Sequence, residues 1–245
     1  MFKLEQDGVV ARVVIDRGGA RNAIPLADWS RLEKLVVEAS NTDARLVVIT
    51  SADPHSFCAG ADLTEFPDFV ADVKKRHLFR GAMSSALDRI RACNKPTIAL
   101  IEGGCFGAGV SLAMACDLRV AGPAAEFAIT PARFGISYPQ PDLMRLVALV
   151  GPGQAARLLY GAATIDAAEA LRIGLIEEID TGDSIGAAMI AGIAGNAPYS
   201  LCALKATLAG RWGVDKRFDD AFSSADFAEG WDAFRSGRKP DFAKG

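Results

Sequence analysis

The 245-residue chain has only two histidines, His55 and His77, in unrelated local contexts. That is too little to assemble a histidine-based catalytic metal site. Its five cysteines, Cys58, Cys93, Cys105, Cys116 and Cys202, include no C-x-x-C spacing. An odd count without paired spacing argues against a disulfide framework or a structural zinc site, so free thiols in a reducing cytosol are expected. Positive charge is not in excess: 27 Lys and Arg face 30 Asp and Glu, for a net charge of -3. This argues against a nucleic-acid partner, which needs a basic face. It leaves room for a local basic patch facing a phosphorylated small molecule. The first ten residues, MFKLEQDGVV, lack the apolar core of a secretory signal. The longest apolar stretch, 96–116, is broken by Glu102 and by glycines. It reads as a buried strand, a turn and a helix rather than a membrane span. No internal repeat or low-complexity segment is present. A cytoplasmic protein with no membrane partner is the expectation.

What is present is ordinary for a globular enzyme: 50% hydrophobic and 23% charged residues. A chain of this length buries roughly three-quarters of its unfolded surface and needs no metal or disulfide to hold a core. Segments 2–6 and 9–16 read as a strand pair turning at Asp7-Gly8. Segment 25–40 reads as an amphipathic helix with Leu26, Trp29, Leu32, Leu35 and Val36 on one face. The continuous apolar runs 46–50 and 97–101 suit strands buried on both faces. Segment 51–61 is expected to be a loop, 63–91 mostly helix, 108–116 a small-residue helix and 118–121 a strand. Strands alternating with helices imply an α/β core. Beyond about Gly151 the pattern turns helical, over 154–160, 167–173, 184–194, 200–209 and 215–234, with one strand at 175–179. The expected division is a core over 1–190 and a helical region over 191–245, with no flexible linker.

Two segments carry candidate chemistry. Phe57-Cys58-Ala59-Gly60-Ala61-Asp62-Leu63 comes after one buried strand, and its small residues let a ligand approach the backbone. Gly103-Gly104-Cys105-Phe106-Gly107-Ala108-Gly109 comes after another and opens a helix, whose first N–H groups are free and carry partial positive charge. Side by side, the two loops can aim two donors at one oxygen and form an oxyanion hole. The same glycines equally suit tight turns and close helix packing.

FCAGADL and IALIEGGCFGAGVSLAMACDLRVA resemble the two signature segments of the crotonase (enoyl-CoA hydratase/isomerase) superfamily. Arg21-Asn22-Ala23, the DAAEALRIGL run and the tail EGWDAFRSGRKPDF resemble further elements of that family, in the same order along nearly the whole chain. The resemblance implies an α/β crotonase (ClpP-like) fold of repeated ββα turns with a helical C-terminal region, assembled as trimers or dimers of trimers. It implies coenzyme A thioesters as substrate, with no separate cofactor. The two oxyanion donors carry over to the backbone N–H groups of Ala61 and Ala108. Arg21, Ala23, Ala59, Ala61, Asp62 and Leu63 match positions that bind coenzyme A, most of them near its nucleotide end. Phe234 matches an aromatic reaching a neighbouring subunit's adenine. The usual lysine beyond it is replaced by Gly237, with Arg238 and Lys239 adjacent. Arg21 can also be read as an exposed turn arginine.

The match departs at the acid/base positions. The family's three carboxylate slots align with Ser111, Pro131 and Pro139. Nearby remain Ser111, Tyr138, Gln140 and Asp142. TPARFGISYP resembles the corresponding loop of methylmalonyl-CoA decarboxylase, where a tyrosine matching Tyr138 sits in the pocket; that enzyme has a histidine where this chain has Ala61. Decarboxylation yields the enolate without a strong base, and a neutral phenol suits proton donation. Tyr138 as proton donor, with Ser111 or Asp142 orienting a water, is the expected catalytic set. Against it stand simple packing for Tyr138 and a helix first-turn role for Asp142. Gly109-Val110-Ser111-Leu112-Ala113 approximates a hydrolase nucleophile elbow, but both histidines precede it. Gly107-Ala108-Gly109 begins a dinucleotide motif that ends on Leu112. A relative that only binds acyl-CoA is the remaining alternative.

Overall fold

The computed structural model describes residues 1–211 and 213–242, so Trp212 and the last three residues of the expected 191–245 region lie outside the described residues. Strands β1 (Phe2–Asp7) and β2 (Val10–Ile15) pair antiparallel. From β2 onward the sheet is parallel, through β3 (Leu46–Ser51), β5 (Thr97–Ile101), β7 (Leu118–Ala121) and β10 (Glu178–Ile179). A second sheet takes β4 (Ser56–Cys58), β6 (Gly104–Phe106), β8 (Glu126–Ala128) and β9 (Ile165–Asp166), in that order. The chain therefore winds: one strand in the large sheet, a short strand in the small one, then helix. β3-β4 leads to α2 (Phe66–Ala71) and α3 (Val73–Ala92), β5-β6 to α4 (Ala108–Ala115), and β7-β8 to α5 (Gln140–Gly161), while β9 runs into the short α6 (Ala167–Arg172). This is the repeated ββα spiral expected of the fold.

The central strands β3 and β5 of the large sheet are buried on both faces. Val47 and Ile49 join a core with Trp29, Leu32, Leu87 and Leu112, while Leu46, Val48, Ile98 and Leu100 join a second cluster with Ile190. Alternate side chains of a strand face opposite ways, so covering both faces turns an alternating pattern into a continuous apolar one. Helix α1 (Leu26–Ser40) buries Trp29, Leu32, Leu35, Val36 and Ala39.

Three differences from the sequence expectation have physical causes. The loop 51–61 contains β4, and 103–109 contains β6. Three-residue strands carry no readable period, and they form here because the parallel neighbour supplies the register. Helix α5 runs from Gln140, well before 154, and bends at Gly151, whose φ of 76 lies outside helical values ahead of Pro152. The tail is two helices, α9 (Val214–Ala221) and α10 (Ala225–Ser236), with the Ser224 side chain capping the second.

Helix α7 (Ala187–Ala194) spans the expected boundary at 190 and lies against the large sheet. α8 (Pro198–Leu208) is tied to the core by Lys205, whose buried Nζ stands 2.6 Å from Asp117 and donates to the Lys95 carbonyl. By contrast, α9 and α10 leave Phe218, Phe222, Trp231 and Phe234 exposed, with Phe234 75% accessible. Among the described residues no single helix is long and apolar enough to cross a membrane.

Candidate active site

The site is built at the C-terminal ends of β4 and β6. After β4 the chain passes Gly60 and forms a parallel bridge between Ala61 and Ile24. The Ile24 N–H donates to the Gly60 carbonyl at 2.7 Å, and the Asp62 N–H to the Ile24 carbonyl at 3.0 Å. Successive N–H groups of an extended chain point to opposite sides, so this pairing turns the Ala61 N–H away from Ile24. After β6, Gly107 takes φ 51 and ψ -121 and starts α4, leaving Ala108 with the first N–H of that helix. Among the described residues neither the Ala61 N–H nor the Ala108 N–H donates a hydrogen bond.

The two loops touch. A Cβ built on Gly60 would lie 3.2 Å from the Ala108 nitrogen and 2.9 Å from the Phe106 carbonyl oxygen. One built on Gly109 would lie 2.4 Å from the Cys58 oxygen, so α4 rests directly on β4. The glycines serve close packing, and that packing brings Gly60 against the Ala108 nitrogen and Gly109 against Cys58.

The Arg21-Asn22-Ala23 element braces this arrangement. Arg21 and Asn22 both hold positive φ, 48 and 58, a region sparsely used by residues other than glycine. Asn22 is fully buried. Its side chain accepts from the Arg17 N–H and donates to Ser51 Oγ and the Ser56 carbonyl. The Arg21 carbonyl accepts from the Ala59 N–H and the Ser56 hydroxyl, while the Arg21 side chain is exposed. Arg17 donates to the Ala23 carbonyl and pairs with Asp62 at 2.7 Å. Asp62 also accepts from the Thr64 hydroxyl at 2.6 Å; that bond first, and Arg17 next, hold its carboxyl below the ordinary range. Arg17 and Asn22 hold this turn by hydrogen bonds, and spacing did not single them out. For Asn22 the sequence offered its place in the Arg21-Asn22-Ala23 element and the tolerance of asparagine for positive φ at a turn; for Arg17 it offered nothing.

Ser111, on α4, lies near Tyr138 and Asp142. The Tyr138 hydroxyl donates to the Gly107 carbonyl. Burial pushes the Tyr138 phenol well up, so it stays protonated. Ser111 Oγ is buried without a hydrogen-bond partner among the described residues. It nevertheless stands close enough to Tyr138 and Asp142 to favour the ionised form of each. Asp142 lies in the first turn of α5, buried, 2.6 Å from the Arg91 guanidinium. Burial raises its carboxyl above the ordinary value, against the opposing pull of Arg91. Its carboxylate is thus both a first-turn helix residue and half of an ion pair. Pro131 opens a short 3-10 turn, and Pro139 is the N-cap of α5. Cys58 and Cys105 are buried, neutral thiols, Cys58 pushed up to about 12 by burial. Leu63 is half exposed beside Asp62. Phe234 lies on the open face of α10, stacked on Trp231 with centroids 5.8 Å apart. Arg238 nearby is paired with Glu229 and Asp232.

The sequence model of the enoyl-CoA hydratase/isomerase family matches residues 5–245. A short-chain-enoyl-CoA hydratase of Clostridium acetobutylicum is 34% identical over 72% of this chain and 67% of its own length. A crotonyl-CoA hydratase of Syntrophomonas wolfei is 36% identical over 72% of this chain and 67% of its own length. Among solved structures, an enoyl-CoA hydratase/isomerase family protein from Hyphomonas neptunium superposes with a TM-score of 0.93 at 36% identity, covering 99% of this chain and 97% of that one. A spiral of ββα turns, a family match over nearly the full length and a neighbour superposing end to end lead to one assignment: the chain is an enzyme of the enoyl-CoA hydratase/isomerase family, within the crotonase superfamily.

Proposed function

We propose that the protein binds acyl-coenzyme A thioesters and stabilises the thioester enolate between the N–H groups of Ala61 and Ala108. The observation that supports this reading is the contact of Gly60 with the start of α4, next to two N–H groups, of Ala61 and Ala108, that donate no hydrogen bond among the described residues. In this reading the Ala108 N–H adds the partial positive charge of a helix N-terminus. Preorganised donors of this kind contribute about 2.7–4 kcal/mol each when charge develops on the oxygen. The exposed Arg21 side chain, with Ala23, Ala59, Asp62 and Leu63, forms the wall for coenzyme A, which enters as part of the substrate, and no separate cofactor is required. Phe234 and the aromatic face of α9 and α10 supply the contacts of a homotrimer or hexamer, with 1–190 as core and 191–245 as the assembling region. The protein acts in the cytoplasm.

The reaction is one that leans on the oxyanion hole more than on a strong base. Ser111, Pro131 and Pro139 stand in the family's carboxylate slots, and the nearby carboxylate of Asp142 is held by Arg91. Loss of carbon dioxide from an acyl-CoA fits that inventory, because bond cleavage itself generates the enolate and only a proton must be returned. Titration calorimetry with acetyl-CoA and longer thioesters tests the reading: binding of thioesters well above free acids is expected, and no heat with any of them refutes it.

A further inference from the structure

The Tyr138 hydroxyl and the Ala108 N–H meet at opposite ends of one peptide unit. In a trans peptide the C=O and N–H point in opposite directions. The peptide joining Gly107 to Ala108 therefore offers its oxygen to one side and its N–H to the other. Its oxygen accepts from the Tyr138 hydroxyl, from the Val110 N–H at 2.9 Å and from the Ser111 N–H at 3.4 Å. Resting on the reading of the Ala108 N–H as an oxyanion donor, we propose that Tyr138 is a positioning residue of the oxyanion hole. Its hydroxyl pulls on the Gly107 carbonyl, polarises the peptide and strengthens the Ala108 N–H toward the thioester oxygen.

The geometry favours this use over proton delivery. A hydroxyl engaged with Gly107 has its one proton committed to a carbonyl. The burial that keeps the phenol neutral also keeps it a donor across the working pH range. The Gly107 N–H is itself held by the Ala128 carbonyl at 2.9 Å, so the turn carrying the polarised peptide is fixed at both ends. Ser111 Oγ, buried without a hydrogen-bond partner among the described residues, lies near enough to Tyr138 to favour its ionised form, so its hydroxyl is available to the phenolic oxygen.

The two roles differ in size. Hydrogen bonds in series strengthen one another by about 10–30% each. Applied to one oxyanion donor, that is about a two- to eight-fold effect on rate. Removing a general acid costs about 10²–10⁴-fold. The test compares Tyr138→Phe with the unaltered protein in two readouts on acetyl-CoA carrying ¹³C at the thioester carbon. One is exchange of the α protons in deuterium oxide; the other is the carbonyl stretching frequency of the bound thioester by difference infrared spectroscopy. The expected result is a two- to eight-fold slower exchange together with a smaller downshift of the carbonyl band. Fluorotyrosine at 138, a stronger donor that keeps the ring and hydroxyl, is expected to deepen the downshift and guards against a phenylalanine variant that fails to fold. An unchanged band in both variants overturns the proposal, whether exchange is unaffected or falls by orders of magnitude. A thioester that binds the unaltered protein with no downshift removes the oxyanion-hole reading itself, and this inference with it.

Discussion

Replacing Gly109 by alanine tests how the proposed oxyanion hole is held. The added Cβ would sit 2.4 Å from the Cys58 carbonyl oxygen and 2.9 Å from the Cys58 Cβ. Ordinary contact begins at 3.4 Å, so the oxygen and the new methyl group are short of it by 1.0 Å. The obstructing atom is backbone in β4, which is buried and paired with β6, so it has no free rotation with which to yield. Helix α4 must therefore lift by roughly that amount, and Ala108, one residue before Gly109, moves with it. Overpacking of this kind costs about 1–3 kcal/mol of stability. A misplacement of about 1 Å in a reacting geometry can cost about 10² in rate. Gly109→Ala should stay folded with a lowered melting temperature, bind acyl-CoA, and exchange the α protons of acetyl-CoA about 10²-fold more slowly. Exchange is read by loss of the acetyl proton signal in deuterium oxide. A folded variant that binds and exchanges at the unaltered protein's rate would refute the reasoning.

Crotonyl-CoA hydration, measured by loss of enoyl absorbance, should be about 10²–10⁴-fold slower than in a hydratase with catalytic glutamates, since a positioned acid or base contributes that much; an efficient turnover would show that the acid/base group lies elsewhere. Asp62→Asn should destabilise the fold to denaturant, with a deficit that depends on pH. The lowered carboxyl pKa of Asp62 means its stabilisation is fully present above the unfolded value of 3.8 and is lost as pH falls through the folded one. The two proteins should thus converge below pH 3.8, and a gap that widens on acidification contradicts the assignment. Sedimentation equilibrium at micromolar concentration should give a trimer or hexamer, reduced to smaller species by Trp231→Glu on the exposed face of α10; a monomer in the unaltered protein removes the assembly proposal.

Much of the fold was legible because its large elements obey simple periods. Trp29, Leu32, Leu35 and Val36 mark a helix face, and the runs at 46–50 and 97–101 mark strands covered on both sides. The small sheet was not legible. β4, β6 and β8 have three residues each, and their pairing is imposed by neighbours far away in sequence. Glycine spacing located the two loops but left their purpose open. Only the packed structure shows Gly60 against Ala108 and Gly109 against Cys58. The bracing by Asn22 depends on three segments meeting, which no local pattern encodes. Tyr138 was singled out as a proton donor; its partner, the Gly107 carbonyl, lies 31 residues away and is visible only in three dimensions.

The most direct test of the central claim is a crystal structure of the protein with a bound acyl-CoA thioester. The account predicts the thioester oxygen about 2.7–3.1 Å from both the Ala61 and Ala108 nitrogens, the range of a working oxyanion hole. A thioester oxygen that contacts neither, or a ligand seated in a cleft elsewhere such as the one lined by Arg12, Glu102 and Asp183, would contradict it.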